Sequence, residues 1–199
     1  MTTARTRLPV GLLTLQGDYA RHEASFRALG CATASVRRPA ELAHVGCLVI
    51  PGGESTTMTR LIDLAGLREP LREFALEKPV MGTCAGLIML ARDLADESAT
   101  HGVTSLGLLN CTVRRNAYGR QIDSFTADVE LDDCLAGQPP FLAVFIRAPR
   151  ITLVGDGVAV VARHEGQPVA VRQGRLLGLA FHPELTNDQR LHQAFLDLA

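Results

Sequence analysis

The sequence predicts an α/β fold: three layers, with a mostly parallel central sheet, helices on both faces and an antiparallel extension. Three observations predict it. In the first half, short apolar runs alternate with amphipathic segments, the pattern of a parallel sheet covered by helices. In the second half, helical spacing gives way to short strands separated by Gly, Pro, Asp or Asn. Finally, 199 residues with 47% hydrophobic and 21% charged side chains suit one domain spanning residues 1–199. A chain of that size buries about 70% of its unfolded surface.

The elements follow in order. Residues 8–15 form an apolar run ending at Gln16-Gly17, a buried strand. Asp18 is placed to cap a helix over 19–29, with Gly30 beyond its end. Residues 31–36 and 47–50 read as further strands, the latter ended by Pro51-Gly52-Gly53. Ser55 or Thr56 opens a helix through Leu64, closed by Gly66. A short helix covers 71–76, a strand 79–81 and a helix 86–94. Strands are then expected at 106–115, 124–131, 142–146, 158–163, 169–172 and 176–181. Residues 164–167 form a hairpin turn, and an amphipathic helix over 188–198 closes the chain. Residues 96–105 read as a polar surface loop.

Composition narrows the function. Twenty Lys and Arg against 21 Asp and Glu give a net charge of −1, with no basic excess for a nucleic-acid backbone. The apolar runs fall far short of the roughly 20 residues of a membrane span, and the start of the chain lacks a signal-peptide pattern. The five cysteines (Cys31, Cys47, Cys84, Cys111 and Cys134) include no CxxC pair. Free thiols point to a reducing compartment, so the expected location is cytoplasmic. All but Cys84 read as inert.

Cys84 is different because of its surroundings. An apolar strand runs into Gly82-Thr-Cys84-Ala85-Gly86 and then directly into a helix, the cysteine form of the nucleophile elbow. Small neighbours permit the tight turn. The helix N-terminus favours a thiolate, and the Ala85 amide is placed for an oxyanion. A buried cysteine in a glycine-rich turn is the plain alternative. His182 and Glu184 follow an apolar strand in His182-Pro183-Glu184. Pro183 excludes His182 from the α region, and extended residues two apart share a side. The carboxylate is thus able to orient the imidazole.

Pro51-Gly-Gly-Glu-Ser-Thr-Thr57 follows the third strand. No GK[ST] follows it, so a nucleotide loop is disfavoured. A second oxyanion donor from Gly52 or Gly53 fits better. Arg114, Arg115, Arg120 and Arg147 lie beside apolar strands, where an arginine grips a carboxylate or simply faces water. His22, His44, His101, His164 and His192 show no ligand spacing and read as surface or capping residues.

These motifs resemble the class I, triad-type glutamine amidotransferases. Gly-x-Cys84-x-Gly and His182-Pro183-Glu184 are shared across that family. Pro51-Gly-Gly-Glu-Ser-Thr, Arg115-Asn-x-x-Gly-Arg-Gln-x-Asp-Ser-Phe125 and Phe145-Ile-Arg-Ala-Pro149 resemble the glutaminase subunits of pyridoxal 5′-phosphate synthase, over nearly the whole chain. The resemblance implies a class I glutamine amidotransferase-like fold and hydrolysis of L-glutamine to glutamate and ammonia. The ammonia passes to a synthase subunit in a hetero-oligomer, with no metal or organic cofactor, nucleic acid or membrane involved. It carries nucleophile, base and orienter onto Cys84, His182 and Glu184. Glutamine contacts fall on Gly53, Glu54, Ser55, Arg115, Ile146 and Arg147, with Gly52, Gly53 and Ala85 as the oxyanion hole. Two other readings remain: a different cysteine hydrolase on the same fold, and a regulatory subunit that retains the site.

Overall fold

The computed structural model describes residues 8–95, 102–115 and 124–199. His101, the first seven residues, part of the polar loop and Asn116, Gly119, Arg120, Gln121 and Asp123 lie outside that set. Among the described residues, nine strands form one sheet in the order β2-β1-β3-β4-β12-β11-β10-β7-β8. They are β1 (Val10–Leu13), β2 (Thr33–Val36), β3 (Cys47–Ile50), β4 (Val80–Thr83), β7 (Ser124–Leu131), β8 (Phe141–Ile146), β10 (Ala159–His164), β11 (Gln167–Gln173) and β12 (Leu176–Leu179). The first five strands in that order are mutually parallel; from β12 to β8 each neighbour is antiparallel. A parallel core with an antiparallel extension is the architecture expected from the sequence.

The parallel strands are fully buried runs such as Cys-Leu-Val-Ile in β3, as sheets covered on both faces require. The helices are α1 (Tyr19–Ala28), α2 (Ser55–Leu64), α3 (Arg68–Glu77), α4 (Ala85–Leu90) and α5 (Arg190–Leu196). Gly30 and Gly66 adopt φ values of 76° and 64° just past α1 and α2, the left-handed stop that glycine permits. Glu165 and Gly166, at φ 49° and 74°, make the two-residue turn between β10 and β11 that matches strand twist. The apolar core runs across the whole sheet and includes Phe26, Phe141, Phe145, Phe181 and Phe195, all fully buried.

Four local expectations change. The helix expected over 86–94 stops at Leu90, and Ala91–Leu94 becomes strand β5. It pairs with β6 (Leu109–Arg114), which also pairs with β9 (Arg150–Val154), giving a second, three-stranded sheet. Pairing with a distant strand outweighs the weak helical preference of one turn. β9 was invisible to pattern because only Ile151 on it is buried, so no alternation marks it. Helix α3 begins at Arg68, before Pro70, because a proline in the first helical turn removes an N–H that has no partner anyway. Asp18 gives no side-chain cap to α1; its carboxylate lies 3.6 Å from Arg21 instead.

Strand β12 decides where the site forms. It comes from the end of the chain yet inserts beside β4, with Leu179 opposite Thr83. On β4's other side, Ile50 of β3 lies opposite Gly82. Three strands therefore end side by side, and a crevice outside the carboxyl ends of parallel strands is where α/β sheets bind ligands.

Candidate active site

Cys84 is the first residue past β4, and its N–H donates to the Leu179 carbonyl of β12 at 2.8 Å. Its backbone has φ 49° and ψ −103°, a conformation uncommon for a residue with a side chain. Neighbouring glycines make the turn possible. A Cβ on Gly82 would meet the Gly86 backbone at 2.5 Å, and one on Gly86 would collide with the Ile50 carbonyl. The elbow is thus pressed against β3 with no room for a methyl group. The first bond of α4 runs from the Ile88 N–H to the Cys84 carbonyl at 3.3 Å. The Ala85, Gly86 and Leu87 amides precede it and have no intrahelical acceptor. The Cys84 thiol points its proton toward the Ile146 carbonyl, 3.8 Å away.

His182 follows β12 and its N–H donates to the Val144 carbonyl at 2.9 Å, which draws β8 toward the elbow. Its φ and ψ of −109° and 88° lie outside the α region, as Pro183 demands. The chain does not stay extended, however. Pro183–Leu185 is a turn of 3₁₀ helix, and it is this turn that brings the Glu184 carboxylate back to the imidazole. His182 Nδ1 lies 2.7 Å from Glu184 Oε1. Both residues are buried, at 9% and 4% exposure.

Burial opposes a charge on His182, but contact with Cys84 and Glu184 outweighs it and pushes its pKa up to about 10. Burial likewise works against the Glu184 carboxylate; His22 and His182 overcome it and hold the group below its ordinary range. Cys84 and Glu184 thus favour the charged form of the imidazole, the form it takes once it holds a proton from the sulfur.

The Pro51-Gly52-Gly53 turn faces this pair. A Cβ on Gly52 would clash with the His182 ring and stand 3.4 Å from the Cys84 Cβ, so only glycine lets the loop approach. Gln16, just after β1, clamps that loop. Its side-chain amide donates to the Glu54 carbonyl at 3.1 Å, and its oxygen accepts from the Glu54 N–H at 3.3 Å. The sequence places Gln16 at the end of a strand and assigns it no contact in the site.

Helix α2 opens at Ser55 and ends at Leu64, as expected, and Glu54 caps it. Its carboxylate accepts from the Thr56 and Thr57 N–H groups at 2.9 and 2.6 Å. Partial burial raises its pKa, these two bonds lower it, and the net result is about 2. Arg115 approaches the same carboxylate at 3.8 Å. A cavity of about 210 Å³ is lined by Gly53, Glu54, Ser55, Cys84, Arg115, Ile146, Arg147 and His182, together with Ile88. All six glutamine-contact residues implied by the resemblance therefore share one crevice with the thiol and the imidazole. Ile88 was not singled out because it reads as an ordinary apolar position of α4. Arg147 holds φ 44° and, among the described residues, makes no hydrogen bond or ion pair.

Two histidines overturn their reading. His22 and His192 are fully buried, not surface residues. Their helices present them to the sheet, and polar partners in the interior replace water, which pattern alone cannot register. His164 is half-buried beside Phe125 and Phe145, with ring centroids 5.8 Å from each. Cys47 and Cys111 are buried, whereas Cys134 is exposed. Among the described residues no three His, Cys, Asp or Glu side chains are grouped to hold a metal, and no helix is long and apolar enough to cross a membrane.

Comparison with known proteins adds the lineage. A model described as the SNO glutamine amidotransferase family matches residues 12–199. The chain is 49% identical over 193 residues to the pyridoxal 5′-phosphate synthase subunit PdxT of Herpetosiphon aurantiacus, covering 96% of this chain and 100% of that protein. It is 52% identical over 189 residues to the PdxT of Mycolicibacterium vanbaalenii, covering 94% and 95%. A crystal structure of a glutamine amidotransferase matches with a TM-score of 0.87 at 42% identity, covering 95% of this chain and 97% of that one.

Proposed function

The chain belongs to the SNO glutamine amidotransferase family, and on that premise we propose that it is the glutaminase subunit of a pyridoxal 5′-phosphate synthase. It hydrolyses L-glutamine to L-glutamate and ammonia, and the ammonia goes to a synthase subunit. The whole chain, 1–199, acts as one amidotransferase domain, located in the cytoplasm.

The chemistry follows from the side chains. His182 accepts the Cys84 proton and the sulfur attacks the side-chain amide carbon of glutamine. The developing oxyanion lies between the Ala85 amide and the Gly52-Gly53 turn, where fixed donors act without reorganising. The imidazolium delivers its proton to the leaving nitrogen, releasing ammonia and a thioester. Water, deprotonated by the same imidazole, then frees glutamate. Glu184 holds the imidazole in one orientation and stabilises its charged form. No step asks for a metal or an organic cofactor.

Recognition falls to the rim of the crevice. Arg147 meets the substrate α-carboxylate, because it lines the crevice and has no partner among the described residues. The Glu54 carboxylate is committed to capping α2, so its backbone and its remaining charge face the α-ammonium. Arg115, Ser55, Gly53 and Ile146 complete the walls.

The observation that carries this reading is the convergence of Cys84, His182 and Glu184 on one crevice. The test is ammonia release from glutamine, measured with and without the synthase subunit, in the unaltered chain and in Cys84→Ala. Release that depends on Cys84 is expected. Undiminished release by Cys84→Ala would overturn the assignment.

A further inference from the structure

Behind the carboxylate of Glu184 lies a second imidazole. His22, on α1, is fully buried. Its Nε2 lies 3.2 Å from the Thr83 hydroxyl, on the residue just before Cys84, and 3.4 Å from Glu184 Oε2. Apart from this approach, Glu184 Oε2 is buried without a hydrogen-bond partner among the described residues. On the other side of the ring, His22 Nδ1 lies 3.1 Å from Nε2 of His192 on α5. His192 is also fully buried, packed edge-on against Phe26, and its Nδ1 has no partner.

These contacts select one arrangement of protons. Burial works first against a charge on either ring, lowering the pKa of His22 and taking that of His192 to about 3. Both imidazoles are therefore neutral, each with one N–H. Suppose His22 carried its proton on Nδ1. His192 would then need its own on Nδ1, leaving a buried N–H with no acceptor. The bare lone pair of His22 Nε2 would also face a carboxylate oxygen. In the opposite arrangement His192 Nε2–H donates to His22 Nδ1, and His22 Nε2–H donates to Thr83 Oγ1 with Glu184 Oε2 3.4 Å away. Only the Nδ1 lone pair of His192 stays unmatched.

We propose that His22 is a positioning residue for the hydrolysis, setting its Nε2–H against Thr83 and the rear oxygen of Glu184, with His192 fixing the tautomer that makes this possible. The carboxylate then lies between two imidazoles, bonded to His182 at Oε1 and facing the His22 N–H at Oε2, which opposes its rotation away from the base. Because His22 also holds Thr83, α1 ties the nucleophile's strand to the orienter's turn. The proposal rests on the reading of Cys84, His182 and Glu184 given above. The titratable groups acting on His22 are Glu184, His182 and Asp18, with His192 in contact.

The test combines kinetics with a direct view of the proton, on the chain assayed with its synthase subunit. His22→Leu is expected to lower kcat for glutaminase on the order of tenfold to a hundredfold, the usual scale for a group that orients a catalytic ligand, with KM within about twofold. His22→Gln, whose amide N–H stands near the position of Nε2–H, is expected to recover most of that loss. Nitrogen NMR of the unaltered chain is expected to report a neutral His22 protonated on Nε2. Equal activity in His22→Leu and the unaltered chain, no recovery in His22→Gln, or an Nδ1-protonated or charged His22 each overturns the proposal. Failure of the underlying reading looks different: Cys84→Ala then keeps its activity, while the tautomer of His22 is unaffected.

Discussion

The two walls of the crevice are built on different principles. The wall proposed to react is buried: Cys84, His182 and Glu184 are 8%, 9% and 4% exposed, and close contacts at the backbone of Gly52, Gly82 and Gly86 leave no room for a side chain there. The wall proposed for recognition is more open at its rim. Glu54 and Arg147 are exposed, and Glu54 and Arg115 are joined by a long 3.8 Å approach. The difference suits what each wall is proposed to do. Proton transfer between buried groups needs a low dielectric and fixed distances. An incoming zwitterion must be met by charges still in reach of water.

That contrast sets the scale of each substitution. The largest effect is expected from Cys84→Ala, with a loss on the order of a millionfold in kcat, as when a catalytic nucleophile is removed; single-turnover glutamine hydrolysis measures it. Next comes Glu184→Gln, expected to lower kcat by about 10²- to 10⁴-fold and to move the alkaline limit of activity downward. The sign follows from His182. Against burial, Cys84 and Glu184 raise its pKa to about 10, above the ordinary 6.5. The resulting stability is complete below the ordinary value and is lost as pH rises through the raised one. A pH profile whose alkaline limb is unchanged in Glu184→Gln would count against this coupling.

On the open wall the effects are smaller and fall on binding. Arg147→Ala is expected to raise KM for glutamine about 10- to 100-fold, the worth of a hydrogen bond to a charged group, with kcat nearly constant. A change confined to kcat would move Arg147 into the reacting wall. The smallest expected effect is on stability. Glu54→Ala removes the α2 cap and should cost about 1 kcal/mol, read from denaturant unfolding near neutral pH. Burial raises the Glu54 pKa and its backbone bonds lower it further, to about 2. The cap's contribution is therefore present above about pH 4.5 and fades as pH falls toward 2, so the variants should converge in acid.

Whatever depends on neighbours along the chain was legible in the residues alone. Gly82 and Gly86 announced a turn too tight for side chains, and Pro183 fixed the backbone of His182. Alternating apolar and amphipathic segments announced the parallel sheet. What depends on distant pairing emerged with the fold. It set β12 against β4, turned residues 91–94 and 150–154 into edge strands, and gave the α2 cap to Glu54. It also buried His22 and His192 behind Glu184, although both read as surface residues. Range accounts for the division: steric limits on φ and ψ act within a few residues, whereas burial and strand pairing are fixed only when segments far apart in sequence pack together.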